Sequence, residues 1–233
     1  MQEKFDAWEN YYSALSSLLF PNEYVLRSFV GGYPNLKIDK NYSGKKICDI
    51  SCGDGRNSVL LHKLGFQLFG TEVTEKTAEI TQQKLHDHPF QINSEIKTGT
   101  NVAIPFESDF FDYLLSWNAI YYLDNKASNI EDHIAEYART LKSGGYMVCS
   151  VPTSNCYSLI GCEDLGDNRI EVNPPENKWG GGLLKGTLMY RFNSFEHIEE
   201  LFGAHFTNFS RAKISDDCFG LPLEYFVFVC QKK

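Results

Sequence analysis

The sequence predicts an α/β domain built on a parallel, doubly wound sheet, and three observations predict it. Apolar runs of strand length alternate with stretches of helical period across residues 45–151. The first apolar run ends in a turn of small residues, Ser51, Cys52, Gly53, Asp54 and Gly55, and passes directly into a helical pattern. Strands joined through helices pair in parallel, and a parallel sheet is covered on both faces.

The elements follow in order. Phe5, Trp8, Tyr12, Leu15 and Leu19 recur at helical spacing, and Phe20, Pro21, Asn22 and Glu23 break that helix. A second short helix is expected over 22–29, stopped by Gly31, Gly32, Tyr33 and Pro34, so residues 1–40 read as an N-terminal helical cover. Residues 47–50 are the first strand and 57–64 the first helix, which Gly65 ends. Residues 66–71 are the second strand, running up to Glu72, and Thr74 caps a helix that reaches about Leu85. Residues 94–97 form a weaker third strand and 113–117 the fourth. A helix opening at Asn129 or Glu131 carries Ile130, Ile134, Tyr137, Ala138 and Leu141 on one face, and Ser143, Gly144 and Gly145 end it before a fifth strand at 146–151. Residues 152–188 break the rhythm. They are rich in Gly, Pro, Asn and Asp and too long for an ordinary connection, so they read as a functional or mobile loop. A helix from Ser194 to about Phe202 follows, and residues 206–213 and 224–230 form two late strands suited to a hairpin at the sheet edge. The chain is expected to be one domain, 1–233, with the cover at 1–40, a ligand-binding core at 45–151, a loop or lid insertion at 152–192 and a C-terminal helix and strands at 193–233.

Composition bounds the function. At 233 residues, 42% hydrophobic and 22% charged, the chain has the makeup of an ordinary globular domain. Its net charge of −8 argues against a nucleic-acid partner, which would call for a basic face. The seven cysteines are odd in number, lack C-x-x-C spacing and sit partly in strand-like runs, which suits reduced thiols in a cytoplasmic protein without disulfides or zinc. No apolar run approaches about 18 residues, so no membrane span is expected. His86 and His88 flank Asp87 without a third spaced ligand, so no metal is expected either. The expected state is monomer or dimer.

The strand–turn–helix unit at 45–57 points to a small molecule held at the carboxyl end of the first strand, against the free amides of a helix start. There is no G-K-[ST], which excludes a Walker-type phosphate cradle. Ser58 stands at the third glycine position of G-x-G-x-x-G, and Asp49 sits two residues before the turn, where a nicotinamide site keeps an apolar residue. Glu72, ending the second strand, suits the two hydroxyls of a ribose. A phosphate-free nucleoside that carries an ammonium group fits these carboxylates, namely S-adenosylmethionine.

On these residues the chain resembles the class I S-adenosylmethionine-dependent methyltransferases, of the type that acts on small molecules. DISCGDG at 49–55 is similar to the family's D-x-G-x-G-x-G, IPF at 104–106 with FDY at 111–113 to its L-P-F and F-D-x-V segments, and LKSGG at 141–145 to its L-K-P-G-G turn. The resemblance is close over 45–151 and loose over the C-terminal eighty or so residues. It implies a seven-stranded, mostly parallel sheet with an antiparallel last strand. It implies S-adenosylmethionine as methyl donor, with S-adenosylhomocysteine as product, bound by Asp49, Ser51, Cys52, Gly53, Gly55, Asn57, Glu72, Val73, Thr74, Thr100, Asn101, Ser116, Trp117 and Asn118, with Arg27 and Tyr12 contributed by the cover. Tyr121, Tyr122, Asn155 and Tyr157 would meet the acceptor.

Two residues depart from the family pattern. Ser51 replaces the first glycine, which the turn tolerates if φ stays negative, and Thr100 replaces the acid that would contact adenine. Several positions have an ordinary structural alternative. Arg27 can pair with Glu23 one turn away, Trp117 and Tyr12 can be core, and His133 can be a partly exposed structural histidine. The candidate bases are His133, Tyr122 and Glu171, with Glu163 and Asp164 beside the last, and none follows the fourth strand directly. The expected reaction is therefore in-line methyl transfer to an O, N or S atom of a small metabolite, driven mainly by positioning. Two rival readings are a methyltransferase-like protein that binds ligand or partner without turnover, and a nicotinamide oxidoreductase, against which Asp49 argues.

Overall fold

The structure, a computed structural model, describes residues 9–11, 20–173 and 184–233. Residues 9–11 are helical, while Tyr12 and the rest of the first expected helix lie outside the described residues. Helix α1 (Glu23–Val30) starts at Asn22, whose side chain accepts from the Tyr24 amide. After it come β1 (Lys46–Asp49), α2 (Arg56–Lys63), β2 (Gln67–Glu72), α3 (Glu75–Asp87), β3 (Ser94–Thr98), β4 (Phe111–Trp117), β5 (Tyr122–Leu123), α4 (Ile130–Thr140) and β6 (Leu141–Pro152). The chain ends with β7 (Glu163–Asp164), β8 (Arg169–Glu171), β9 (Leu188–Tyr190), α5 (Phe195–Phe202), β10 (Phe206–Cys218) and β11 (Leu221–Lys232).

Seven strands form the main sheet in the order β10-β11-β6-β4-β1-β2-β3. Pairs β1–β2, β1–β4, β2–β3 and β4–β6 are parallel, and β11 runs antiparallel to both its neighbours, β6 and β10. This is the doubly wound sheet that the alternation predicts, with the expected late hairpin at one edge. The order reverses beside β1, the strand that carries Asp49, and such a switch point opens a crevice at the carboxyl ends of the strands.

Both faces are packed, as a parallel sheet requires. On one face Val25 and Phe29 of α1 and Val59, Leu60 and Leu61 of α2 meet Ile47, Tyr113, Leu115 and Val148 of the sheet. Phe29, Tyr42, Phe66 and Tyr113 make edge-to-face contacts at ring separations of 5.1–5.9 Å. On the other face Ile130, Ile134 and Tyr137 of α4 and Ile198 and Phe202 of α5 cover Cys48, Leu114, Met147, Cys149 and Phe228. Helix α1 is therefore a packed part of the core, and Phe29 is fully buried.

Two expectations are corrected. Helix α4 stops at Thr140, three residues before the Ser143–Gly145 turn expected to end it. Leu141 already pairs with Phe111, and the register shifts before Tyr146 meets Tyr113. Gly144 has φ 76° and a Cβ on Gly145 would lie 2.9 Å from the Asp112 carbonyl, so the glycines allow the chain to bulge close against β4. The second correction concerns 152–192, read as a loop or lid. Its described part supplies three strands of a four-stranded antiparallel sheet, β5-β9-β8-β7, with Tyr122 opposite Met189 and Ile170 opposite Met189 on the other side. Three-residue strands leave almost no alternation to read, and the partner β5 is distant in sequence.

Candidate functional site

The site begins where β1 ends. Asp49 pairs with Gly70 on β2 and Leu115 on β4, so its side chain emerges at the switch point. It is 2% exposed, and its Oδ2 accepts from Ser58 Oγ at 2.7 Å. Ser58, the residue in place of the third glycine, thus holds the carboxylate from the first turn of α2. Sequence reading noted Ser58 only as a departure from a dinucleotide pattern. The i to i+9 spacing across a turn was the available signal.

The turn itself is tied to β2 by backbone bonds. The amide of Ser51 donates to Thr71 Oγ1 at 3.2 Å and that of Cys52 to the Thr71 carbonyl at 3.1 Å. Ser51 has φ 53°, Gly53 φ 60° and Gly55 φ 82°. The condition under which the turn would tolerate serine, a negative φ, is therefore not met, and Ser51 sits in the left-handed region that favours glycine. Gly70 on β2 makes room for it. A Cβ there would lie 3.1 Å from the Asp49 carbonyl and 3.2 Å from Cys52 Sγ.

Glu72 closes the other side. It is 3% exposed, and its carboxylate accepts from the amides of Gly53 and Val73. Burial pushes both carboxyls up to about 7. The Ser58 bond opposes this at Asp49, where the charges of Glu72 and Asp54 add to it. The Gly53 and Val73 amides oppose it at Glu72, and Asp54 again adds. Among the described residues no cation pairs with either group, whereas Asp54 has Arg56 at 2.6 Å.

The N-terminal segment is anchored over this unit. The amide of Asn22 donates to Asn57 Oδ1 at 3.0 Å, joining the starts of α1 and α2. Thr74, which caps α3, also donates through Oγ1 to Glu9 at 3.0 Å, and Lys76 pairs with Glu9 at 2.9 Å. Thr100 lies in the turn after β3, bridging Ala103. Arg27 is directed to Glu23 at 2.6 Å and to the Tyr33 hydroxyl at 3.4 Å, which is the helix-surface pairing its spacing also allowed.

Past β4 the sequence reading needs revision. Asn101 does not present its amide outward. Its Nδ2 donates to the carbonyls of Ala119 and Tyr122, each at 3.1 Å, and its Oδ1 accepts from the Tyr137 hydroxyl at 2.7 Å. The Ser116 side chain is fully buried, with Oγ 3.4 Å from the same hydroxyl. Trp117 packs half-buried on the α1–α2 side, and Asn118 has φ 58° and exchanges bonds with Ser150 at 3.0 and 2.9 Å. His133 is not placed as a base. It is fully buried, and because a carbonyl can only accept, its Nδ1 carries the proton and donates to Ile120 at 2.8 Å. Burial pushes its pKa down and keeps the ring neutral. Tyr121 accepts at its carbonyl from the Tyr190 amide at 2.8 Å. Every carbonyl from 119 to 122 is thus engaged, and the loop is a fixed pedestal for Tyr121 and Tyr122.

Of the remaining candidates, Glu171 lies on β8 and pairs with Lys126 at 3.3 Å, Asp164 pairs with Arg191 at 2.9 Å, and Glu163 is exposed. None of these three is joined to the Asp49–Glu72 unit. Asn155 donates to Glu224 at 3.0 Å. Tyr157 is tied through its amide to the Pro222 carbonyl at 2.9 Å, next to the start of β11.

Comparison with known proteins bears on the fold. Residues 48–149 match the model of a methyltransferase domain family. The ubiquinone biosynthesis O-methyltransferase of Ruegeria sp. (strain TM1040) is 24% identical over 146 residues, 60% of this chain and 57% of that protein. The enzyme of the same name from Roseobacter denitrificans is 25% identical over 148 residues, 61% of this chain and 57% of that protein. The chain therefore spans little more than half the length of these relatives. Among solved structures, the PH0226 protein of Pyrococcus horikoshii superposes with a TM-score of 0.64 at 17% identity, covering 96% of this chain and 99% of that one. An S-adenosylmethionine-dependent methyltransferase of Thermotoga maritima gives 0.62 at 20% identity over the whole of both chains. The fold is the class I, Rossmann-like methyltransferase fold.

Proposed function

We propose that this class I methyltransferase domain moves a methyl group from S-adenosylmethionine to an O, N or S atom of a small-molecule acceptor. One observation carries the reading. Asp49 and Glu72 stand buried at the carboxyl ends of adjacent parallel strands, on either side of the 51–55 turn, without a counter-cation among the described residues. Such a pair suits a ligand that brings its own hydroxyl donors and positive charge.

When bound, S-adenosylmethionine supplies a methyl group already activated on a sulfonium. Glu72 would take the ribose hydroxyls, the amides at the start of α2 and the turn would line the ligand's other edge, and Asp49 would favour its positive charge. The other residues of the sequence reading are part of this proposal, Asn101, Ser116 and Arg27 having the other tasks described above and Tyr12 lying outside the described residues. Glu9 and Asn22 would hold the described residues 9–11 and 20–22 to this unit through Thr74 and Asn57. The fixed 119–122 loop would present the acceptor, and the net charge of −8 favours a small acceptor over a nucleic acid. No helix among the described residues is long and apolar enough to cross a membrane.

Calorimetric titration with S-adenosylhomocysteine tests the reading. Micromolar binding is expected, with Asp49→Ala and Glu72→Ala each weakening it by about 1–3 kcal/mol, the cost of a lost charged hydrogen bond. Unchanged affinity in both variants refutes the site.

A further inference from the structure

Three buried hydroxyls stand behind the 51–55 turn, each from a different element. Thr71 on β2 accepts from the Ser51 amide at 3.2 Å, Thr81 on α3 donates to the Gly53 carbonyl, and Ser58 on α2 donates to Asp49 Oδ2 at 2.7 Å. Ser58 and Thr81 are fully buried, and Thr71 is nearly so. Thr71 and Thr81 hold backbone groups of the turn, whereas Ser58 holds a group that can carry charge. Its bond occupies Oδ2 of Asp49, and among the described residues nothing bonds Oδ1.

We propose that Ser58 is a positioning residue for the methyl donor: its hydroxyl fixes the Asp49 carboxylate and favours the ionised form, leaving Oδ1 for the ligand's positive charge. The inference rests on the methyl-transfer reading above. Asp49 stands among groups that oppose its charge. Glu72 ends the neighbouring strand, and Asp54 lies in the turn with Arg56 paired to it at 2.6 Å. The thiols of Cys48 and Cys52 are neutral, burial pushing both up. The strand neighbours of Asp49 are Gly70 on β2 and Leu115 on β4, which carry no charge. A buried carboxylate without a cation takes up a proton unless hydrogen-bond donors hold it. Burial raises Asp49 to about 7, and the Ser58 bond opposes that rise. A hydroxyl does this without cancelling the charge that the ligand is to meet, whereas a lysine or arginine in its place would compete with the ligand.

The test measures S-adenosylhomocysteine affinity by calorimetry at pH 6, 7, 8 and 9 for the whole chain and for Ser58→Ala, Ser58→Cys and Thr81→Val. Each variant is compared with the unaltered chain at the same pH, so the titration of the ligand itself cancels. Losing a charge-assisted hydrogen bond moves a carboxyl's midpoint up by about one pH unit. Ser58→Ala should therefore bind about ninefold more weakly at pH 6, about fivefold at pH 7, and nearly as tightly as the unaltered chain at pH 9. Ser58→Cys, close in shape with a weaker donor, should fall between the two. It carries the test alone if the melting temperature shows that Ser58→Ala is unfolded. Thr81→Val removes a hydroxyl that meets only backbone, so it should weaken binding by the same factor at every pH. Unchanged affinity in the folded Ser58 variants overturns the assignment. So does a loss in them that is equal at every pH, or a midpoint moved as far by Thr81→Val. In each of these cases binding by the unaltered chain keeps the methyl-donor reading. If the unaltered chain fails to bind S-adenosylhomocysteine, both fall.

Discussion

Lowering the pH from 8 to 6 should release the nucleoside ligand, and the size of the effect follows from two buried carboxyls. Asp49 and Glu72 are each held up to about 7 against ordinary values of 3.8 and 4.5, first of all by burial. In the ligand-free fold they are about half-protonated near neutrality. A ligand that donates hydroxyls to Glu72 and brings positive charge near Asp49 binds the ionised forms, so binding must expel any proton they carry. For one group with a ligand-free value of 7, the ionised fraction falls about tenfold between pH 8 and 6, and for two groups about a hundredfold. The two interact, so the apparent values belong to the pair and the transition is broader than for either alone. The sign for stability is opposite. A carboxyl raised above its unfolded value destabilises the fold where it is ionised, so the ligand-free protein should become more stable as pH falls from about 8 toward 5. Calorimetry of S-adenosylhomocysteine binding at pH 6, 7 and 8, each in two buffers of different ionisation enthalpy, reads both the affinity and the protons released. Affinity that falls by ten- to a hundredfold, with proton release near pH 7, is the expected result. Glu72→Gln should remove about half of the pH dependence on a logarithmic scale. A flat affinity with no net proton exchange refutes the reasoning that these two groups receive the ligand's charge.

Three further outcomes check the local geometry. Ser51→Gly should raise stability by about 0.5–1 kcal/mol, because glycine adopts φ 53° without the steric cost, and an unchanged or lower melting temperature would oppose that. Gly70→Ala places a Cβ 2.8 Å from Ile96 Cδ1 and 3.1 Å from the Asp49 carbonyl, so it should cost roughly 1–3 kcal/mol of stability and weaken S-adenosylhomocysteine binding as the turn is displaced; wild-type behaviour in both would count against the close packing. Asn101→Asp replaces the donor of two hydrogen bonds with an acceptor facing the Ala119 and Tyr122 carbonyls, so it should destabilise by at least about 2–4 kcal/mol, read by denaturant unfolding, and a neutral effect would show that the amide does not bind that loop.

The parts of this site that could be read from the sequence are those whose chemistry is local. Asp49, the 51–55 turn and Glu72 each follow from a strand end, a small-residue run and a helix start within a few positions, and the parallel order of β1, β2 and β4 then brings the strand ends together. Ser51 shows the limit of that reading. Its identity is visible, but neither its φ of 53° nor the bonds of its amide and that of Cys52 to Thr71, twenty residues away, can be read from a local window. Asn101 shows it more sharply. The side chain stands where an adenine contact is expected, yet three groups from β4's loop and α4 claim it, and only tertiary structure brings Ala119, Tyr122 and Tyr137 to one amide.

The same distinction explains where specificity resides. The donor half of the site is built from residues adjacent in sequence and therefore resembles that of many chains. The loop that carries Tyr121 and Tyr122, by contrast, is held by residues far apart in sequence. The pedestal gives these residues a fixed partner, because the 119–122 carbonyls are bonded to Asn101, His133 and Tyr190 from three different elements. Replacing a pedestal bond should therefore alter the orientation of Tyr121 and Tyr122 before it disturbs the Asp49–Glu72 unit, whose own bonds run to Ser58, Gly53 and Val73. On the proposed reading, acceptor choice can then change in such a fold without loss of donor binding.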